Sequence, residues 1–509
     1  MDDDRLPVIV GTGQLRSNRD RTVEGAREPL ALLLQALAAA ERAAGGPGLL
    51  RRADAVHAVH IASWAYDGLA AQVGAAVGAD PRTCVDTGIG GHHPVRLLDA
   101  AAARIAAGDS DVALIVGAEA QASVSLLGKA GVDPVADLGW SATPGGPPSF
   151  DLDQLGSAAM QAAQLIAPTR VYPLFENRLQ ADLGLTPLQG AQWSGQVYAE
   201  LSRIAADHLA AWNQQVLTEQ QVREVGPGNR MVCEPYPLSM NAMPHVDQAA
   251  AVVLTSLGTA RELGIGSAVY VWGGAGVDDV PDVLLRDGFG SSRALGWALD
   301  RCLGRAGVEI GQVGLLDVYS CFPVVPKLVG EHLGLPRDRA LSVTGGHSSF
   351  GGPLSSYSLH ALATMAGRVR AGERLGLVHA NGGYLTHQHA VLLSRRPHPS
   401  GYVGEPEPEM LVGRGAPTLT TAAARAVDGT VDVIVETATV EHDRAGTPRQ
   451  AFVVARTADG CRLAAATPDG DTGAAGALSL AVLPAGTTTH VGRPLTLRAH
   501  ADGSVSPVR

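Results

Sequence analysis

Cysteine is scarce in this 509-residue chain: there are five (Cys84, Cys233, Cys302, Cys321, Cys461), an odd total with no C-x-x-C pair. That excludes a disulfide framework and a structural zinc site, and it points to a reduced, cytoplasmic protein. Charged residues are only 17% of the chain against 46% hydrophobic, so long disordered tracts are excluded. A net charge of −11 argues against nucleic acid or an anionic membrane as partner. No apolar run approaches the roughly 20 residues that span a bilayer. The start, Met1–Asp2–Asp3–Asp4–Arg5, carries acids where a signal peptide needs bases. A complete dinucleotide loop is absent too. Val8–Ile9–Val10 runs into Gly11–Thr12–Gly13, but Arg16 stands where the third glycine belongs, and a structural turn is expected. The histidines lack ligand spacing to nearby Cys, Asp or Glu, so no metal site is expected.

What the chain has in quantity is glycine, 62 residues, and alanine. One stretch concentrates the unusual chemistry: Cys84–Val85–Asp86–Thr87–Gly88–Ile89–Gly90–Gly91–His92–His93–Pro94. Pro94 suits the start of a helix, where a missing N–H costs nothing. Val95, Leu98, Ala102 and Ile105 then form the apolar stripe of a buried helix ending at Ala106–Ala107–Gly108. Val112–Val116 reads as a buried strand closing on Gly117–Ala118–Glu119. Free N–H groups at the helix start are suited to an anion or oxyanion.

The second half repeats this order. A glycine-rich loop (344–353) leads to a helix at 356–370 and a strand at 375–378, which ends in Asn381–Gly382–Gly383–Tyr384. An internal duplication of an α/β unit, with a mostly parallel sheet covered on both faces, is the economical reading. The expected domains are 1–255, containing an insertion at about 120–230 draped over the sheet, then 256–396, and 415–509. A Pro/Gly linker at 397–416 precedes the last of these. Alternating strands and Asp-Gly turns at 428, 459, 469 and 502 mark 415–509 as a small β-barrel or sandwich, oligonucleotide-binding-like in outline but without a basic face.

The duplicated halves and the phrases Val246–Asp247–Gln248–Ala249–Ala250, Tyr319–Ser320–Cys321–Phe322–Pro323 and Phe350–Gly351–Gly352–Pro353 resemble the thiolase superfamily over about residues 5–395. With the extra β domain, the chain looks most like its type 1 thiolase-like members, often labelled acetyl-CoA acetyltransferases. The resemblance implies αβαβα layers in two mixed sheets and a CoA thioester as substrate, with no tightly bound cofactor. It leaves monomer and homodimer open.

The resemblance also implies a catalytic set: an acyl-accepting cysteine, an H/N-E-A-F-type residue, a G-H-P histidine and a second cysteine in C-x-G. Those positions fall on Gly91, Tyr319, Gly352 and Ala380, so all four side chains are replaced. Cys84 and Cys321 are expected to be buried structural thiols rather than substitute nucleophiles. Groups left to do chemistry are His92 and His93 beside the vacant position, then Tyr319, His347 and Tyr384, with Asn381 and the backbone of Gly91, Gly352 and Gly383 as an oxyanion loop. For His92 and His93 the alternative is simple packing. Some thiolase-fold aldolases place a tyrosine at the Tyr319 position. Three functions follow: thioester chemistry without an acyl-cysteine, an aldolase-type cleavage of β-hydroxyacyl-CoA through Tyr319, or a non-catalytic acyl-CoA binder or scaffold.

Overall fold

Gly11 and Gly13 do not turn the chain; they lie inside strand β1 (Pro7–Arg16). A Cβ on either would collide with the Ala40 or Ala36 carbonyl of helix α1 (Pro29–Ala44), which lies directly on the strand. The pair is there for close helix–strand approach rather than for a turn. The computed structural model describes residues 3–148, 156–411 and 416–508; residues 412–415 of the expected linker, like Met1 and Asp2, lie outside them.

β2 (Ala55–Ala58), β3 (Thr83–Asp86), β4 (Val112–Ala120) and β7 (Asp247–Ser256) complete the first half, in the order β3-β2-β4-β7-β1. β5 (Met231–Cys233) and β6 (Tyr236–Pro237) belong elsewhere. The second half repeats that order from the far side with β8 (Val269–Asp278), β11 (His387–Ser394), β10 (Leu375–Gly382) and β9 (Leu315–Val318). The mixed sheet implied by the resemblance is present, while the mostly parallel pairing and the separation into two sheets are corrected. Ladders β2–β3, β2–β4 and β9–β10 are parallel, but β4–β7, β7–β1, β8–β11 and β11–β10 are antiparallel, so the sheet is mixed. The halves are also one sheet, joined where Val8 and Ile9 pair with Tyr270 and Val269. Gly273 and Gly274 do not end β8; it runs through them to Asp278.

The layers follow from which faces are apolar. α1 and α2 (Leu69–Ala76) cover the outside of the first half. Helix α3 (His93–Ala107) and its duplicate, α9 (Tyr357–Ala371), share one core with strands of both halves. α3 therefore buries more than its stripe. Leu97, Ala101 and even Asp99 are enclosed, and Gly108 closes the helix in the left-handed conformation. Asp99 is fully satisfied: Oδ2 meets His389 Nε2 at 2.9 Å, and Oδ1 accepts from Gly274 N–H (2.9 Å) and Tyr402 Oη (2.7 Å).

The inserted region is built into the protein more firmly than a draped loop. After α4 (Gln121–Ala130) come α5 (Pro168–Asp182) and α6 (Pro187–Ala206), which pack with α7 (Arg293–Arg305), α8 (Val324–His332) and the C-terminal domain in one hydrophobic core containing Phe175, Tyr198, Phe289 and Phe452. The expected linker is likewise partly sheet. β12 (Glu405–Met410) pairs with β8, held by a bidentate Arg301–Glu405 ion pair at 2.6 and 2.7 Å.

The C-terminal domain is an antiparallel sheet with a core of its own. Its strands β13 (Thr430–His442), β14 (Pro448–Arg456), β15 (Arg462–Ala466), β16 (Pro494–Ala499) and β17 (Val505–Pro507) lie in the order β15-β14-β13-β16-β17. β5 and β6 join it alongside β13, where Cys233 pairs with Glu441. Among the described residues no ladder joins β15 to β17 to close a barrel. Asp459–Gly460 and Asp502–Gly503 turn hairpins, and Asp428–Gly429 makes a tight turn closed by the Val427–Thr430 bridge at the start of β13, whereas the pair at 469 follows β15.

Glu119, at the end of β4, is wholly buried and accepts N–H bonds from Ala62 and Ser63, both at 2.9 Å. Burial nonetheless lifts its carboxyl to about 7. A folded-state value above the unfolded one means stability is present at low pH and is lost as pH rises from about 4.5 through 7. Glu119→Gln is expected to flatten that decline, by on the order of 1–3 kcal/mol between pH 4.5 and 7.5, in denaturant melts run across the range.

Candidate active site

Gly91 lies one residue before the N-cap of α3 and is stapled to the duplicate helix. Its carbonyl accepts from Ser358 Oγ at 2.7 Å, and the Gly90 N–H donates to Ser355 Oγ at 3.1 Å. The decisive geometry is at its missing side chain. A Cβ on Gly91 would fall on the hydroxyl and ring edge of Tyr319. The phenol, carried past the end of β9, fills the space that a side chain at position 91 would take. Tyrosine at 319 therefore requires glycine at 91.

Tyr319 is held from behind by its N–H bond to the His379 carbonyl (3.1 Å) and by its neighbour Ser320, whose carbonyl accepts from Tyr198 Oη at 2.9 Å. Its ring lies against His347, centroids 4.2 Å apart, and His347 stacks on Tyr357 at 3.6 Å. His347 Nδ1 meets Ser320 Oγ at 3.3 Å, while Nε2 is buried without a partner among the described residues. Burial drives His347 well below the usual imidazole range and raises the Tyr319 phenol. At neutral pH the imidazole is uncharged and the phenol keeps its proton. No hydrogen bond engages the Tyr319 hydroxyl among the described residues.

The histidine pair occupies the other flank of Gly91. His92 stacks on His93 (4.1 Å) and on His387 (4.6 Å), and His387 Nδ1 is 2.7 Å from Asp278 Oδ1. Gly90 and Gly382 leave just enough room for the His92 ring, which a Cβ on either would strike. Burial, then the neighbouring imidazoles and Arg96, lower His92 strongly and His93 to about 4. His92 Nδ1 is buried and unpartnered among the described residues.

Several expected members are placed elsewhere. Tyr384 is not at the site: its hydroxyl donates to the Ile166 carbonyl (2.5 Å), pinning the inserted region. Asn381 is spent in a network, donating to Tyr172 Oη (2.8 Å) and accepting from Gln388 Nε2 (2.7 Å), while Tyr172 Oη donates to the Gly383 carbonyl (2.7 Å). Gly352 packs on Met243, donating its N–H to that carbonyl at 2.8 Å, and Ala380 is buried within β10. Cys84 corrects an expectation, being exposed on the edge strand β3. Cys321 is half-buried, and burial pushes its thiol up to about 12, so it is no thiolate at neutral pH. Asp278, Ser355 and Ser358 were not anticipated. A strand-paired acid opposite His387 can be read only once the β8–β11 register is known. Among the described residues no cluster of His, Cys, Asp and Glu could hold a metal ion, and no helix is long and apolar enough to cross a membrane.

Residues 408–493 match the family model described as the thiolase-like protein type 1 additional C-terminal domain. A monomeric SCP2-thiolase-like protein type 1 from Mycobacterium smegmatis aligns over 100% of both chains with 27% identity and a TM-score of 0.78. The chain has the thiolase-like fold, and residues 408–493 correspond to the additional C-terminal domain of thiolase-like protein type 1. Acetyl-CoA acetyltransferase 1 of Arabidopsis thaliana is 34% identical over 131 residues, a stretch covering 26% of this chain and only 30% of that protein. The Ltp2–ChsH2(DUF35) aldolase structure shares the fold over 77% of this chain (99% of its own) at 19% identity and a TM-score of 0.58.

The Gly91–Tyr319 packing makes a prediction that is independent of any reaction. Gly91→Cys will not fit a thiol beside Tyr319, because its Cβ overlaps the phenol. Overpacking of this kind costs about 1–3 kcal/mol. The same cost is expected for Gly91→Ala, and most of it should vanish in a Tyr319→Ala background, a coupling readable by a double-mutant cycle in urea.

Proposed function

We propose that this thiolase-like protein acts on acyl-CoA-type thioesters, making or breaking a bond next to the thioester carbonyl without an acyl-cysteine intermediate. The observation that carries this reading is the Tyr319 hydroxyl: it stands in the side-chain space at position 91, where the resemblance puts the nucleophile, and among the described residues no hydrogen bond engages it. Being protonated at neutral pH, the phenol serves as a donor to the thioester oxygen rather than as a base. The N–H groups of Gly91 and Gly383 are its candidate companions, and the neutral imidazoles of His347, His92 and His93 are the groups able to accept a proton.

A phenol in this motif favours an aldolase-type cleavage in particular. The β-hydroxyl proton passes to an imidazole, the Cα–Cβ bond breaks and an aldehyde or ketone leaves. Tyr319 steadies the enolate oxygen until Cα is reprotonated. The end-to-end likeness to a monomeric relative supports a monomeric enzyme.

Incubation with acetyl-, acetoacetyl- and β-hydroxyacyl-CoA, followed by mass spectrometry for free CoA and carbonyl products, tests the proposal. Carbonyl release from the β-hydroxyacyl substrate is the expected result. Tight CoA binding with no turnover of any thioester would leave a non-catalytic binder or scaffold instead.

A further inference from the structure

A recess of about 320 Å³ opens between the loop after β1, helix α4 and the segment leading into β7. Its polar lining is Arg21, Lys129, Ser125 and the His245 imidazole, with no carboxylate among the lining residues. Its floor is apolar, formed by Leu126 and Met243. In a chain with 50 acidic residues against 39 basic ones, neither Arg21 nor Lys129 has an ion-pair partner among the described residues. Two unpaired cations facing one hollow are a placement that an anion would complete.

The loop is built to present Arg21. Asn18 and Arg21 both take the left-handed backbone (φ 47° and 54°), which side chains other than glycine adopt at a cost. Arg21 N–H donates to the Asn18 carbonyl at 2.9 Å, and Asn18 Nδ2 donates to Ser123 Oγ at 3.0 Å, fixing the loop to α4. Asp247, a carboxylate that feels the Arg21 charge, is engaged by Ser123 through N–H (3.0 Å) and Oγ (2.6 Å). Arg21 itself lies over the Trp212 ring at 6.0 Å, leaving its guanidinium edge free for a ligand.

The floor is bonded to the loop that carries His347. Met243 donates its N–H to the His347 carbonyl (3.0 Å) and accepts from the Gly352 N–H (2.8 Å), so one residue separates the recess from the loop that carries His347. We infer that this recess is a phosphate-binding subsite, in which Arg21 and Lys129 hold the phosphorylated end of a pantetheine thioester whose acyl end reaches Tyr319 past Met243. The inference rests on the thioester reading above. The phosphate has two sources: the nucleotide end of coenzyme A, or the single phosphate of a 4′-phosphopantetheine arm.

Calorimetric titration of the full chain with coenzyme A, 4′-phosphopantetheine and pantetheine separates these possibilities. The comparison is between wild type and the double variant Arg21→Ala, Lys129→Ala, whose exposed side chains leave the melting temperature unchanged. Coenzyme A binding should weaken at least tenfold in the variant and with added salt, while pantetheine binding stays the same. An equal loss for 4′-phosphopantetheine assigns the subsite to that single phosphate; a loss confined to coenzyme A assigns it to the nucleotide phosphates. Coenzyme A binding equally well to both proteins would overturn the subsite and leave the thioester reading standing. Failure of wild type to bind any of the three would overturn that reading and the subsite with it.

Discussion

Tyr319→Phe should reduce thioester turnover by about 10²–10³-fold while changing the melting temperature little, since that is the scale set by removing one oxyanion donor. The ring is what packs: it rests on His347, and its edge occupies the Gly91 space that no other side chain fills. Phenylalanine keeps those contacts. Only the hydroxyl is lost, and no hydrogen bond to it exists among the described residues, so the fold has little to lose by its removal. A loss of rate without a loss of stability separates a reacting phenol from a packing one. Turnover that survives Tyr319→Phe but fails in His92→Ala plus His93→Ala would move the chemistry to the other flank of Gly91.

The second large effect concerns the junction between the C-terminal sheet and the thiolase body. Arg462, fully buried on β15, forks onto Glu436 at 2.7 and 2.5 Å and reaches out of its own domain to the carbonyls of Leu284 and Arg286 at 2.5 and 2.7 Å. Arg462→Met leaves Glu436 buried with only Arg456 (3.2 Å) beside it, and leaves those carbonyls without donors. Breaking such a pair by removing one partner costs about 3–5 kcal/mol. Arg462→Lys should recover little, because a point charge cannot fork. The expected signature is a lower melting temperature together with faster proteolysis between residues 396 and 429; a variant as resistant as wild type would show that other contacts dock the domain.

How much of this was legible in the sequence follows from the range of each interaction. The loop–helix–strand unit at 84–119 was readable because its signals are local: Pro94 near the start, the stripe from Val95 to Ile105, Gly108 at the end and an unbroken apolar strand. The duplication was readable because the same local grammar recurs at 344–384. The dependence of Tyr319 on Gly91 was not, since the two are far apart in the chain and only the fold lays a phenol across a missing Cβ. Gly11 and Gly13 misled for a related reason. Their purpose is the approach of α1, a contact made at Ala36 and Ala40, and glycines seen without their neighbour resemble a turn. Glu405–Pro406–Glu407–Pro408–Glu409–Met410 read as linker because proline and acid are poor strand formers, yet as an edge strand it needs only irregular pairing with β8 and finds Arg301 for its first acid. Tyr384 and Asn381 sat in a loop of promising composition, and only the positions of Ile166, Tyr172 and Gln388 reveal that their polar atoms are already occupied.

On the reading proposed above, thioester chemistry proceeds with no acyl-cysteine: position 91 is glycine, Cys321 is held protonated and Cys84 lies on an outer edge strand. Intact-protein mass spectrometry after incubation with acetyl-CoA, acetoacetyl-CoA and a β-hydroxyacyl-CoA, with acid quenching during turnover, tests it most directly. Unmodified protein alongside consumed substrate is the expected result. An acyl adduct that maps to Cys84 or Cys321 would contradict it.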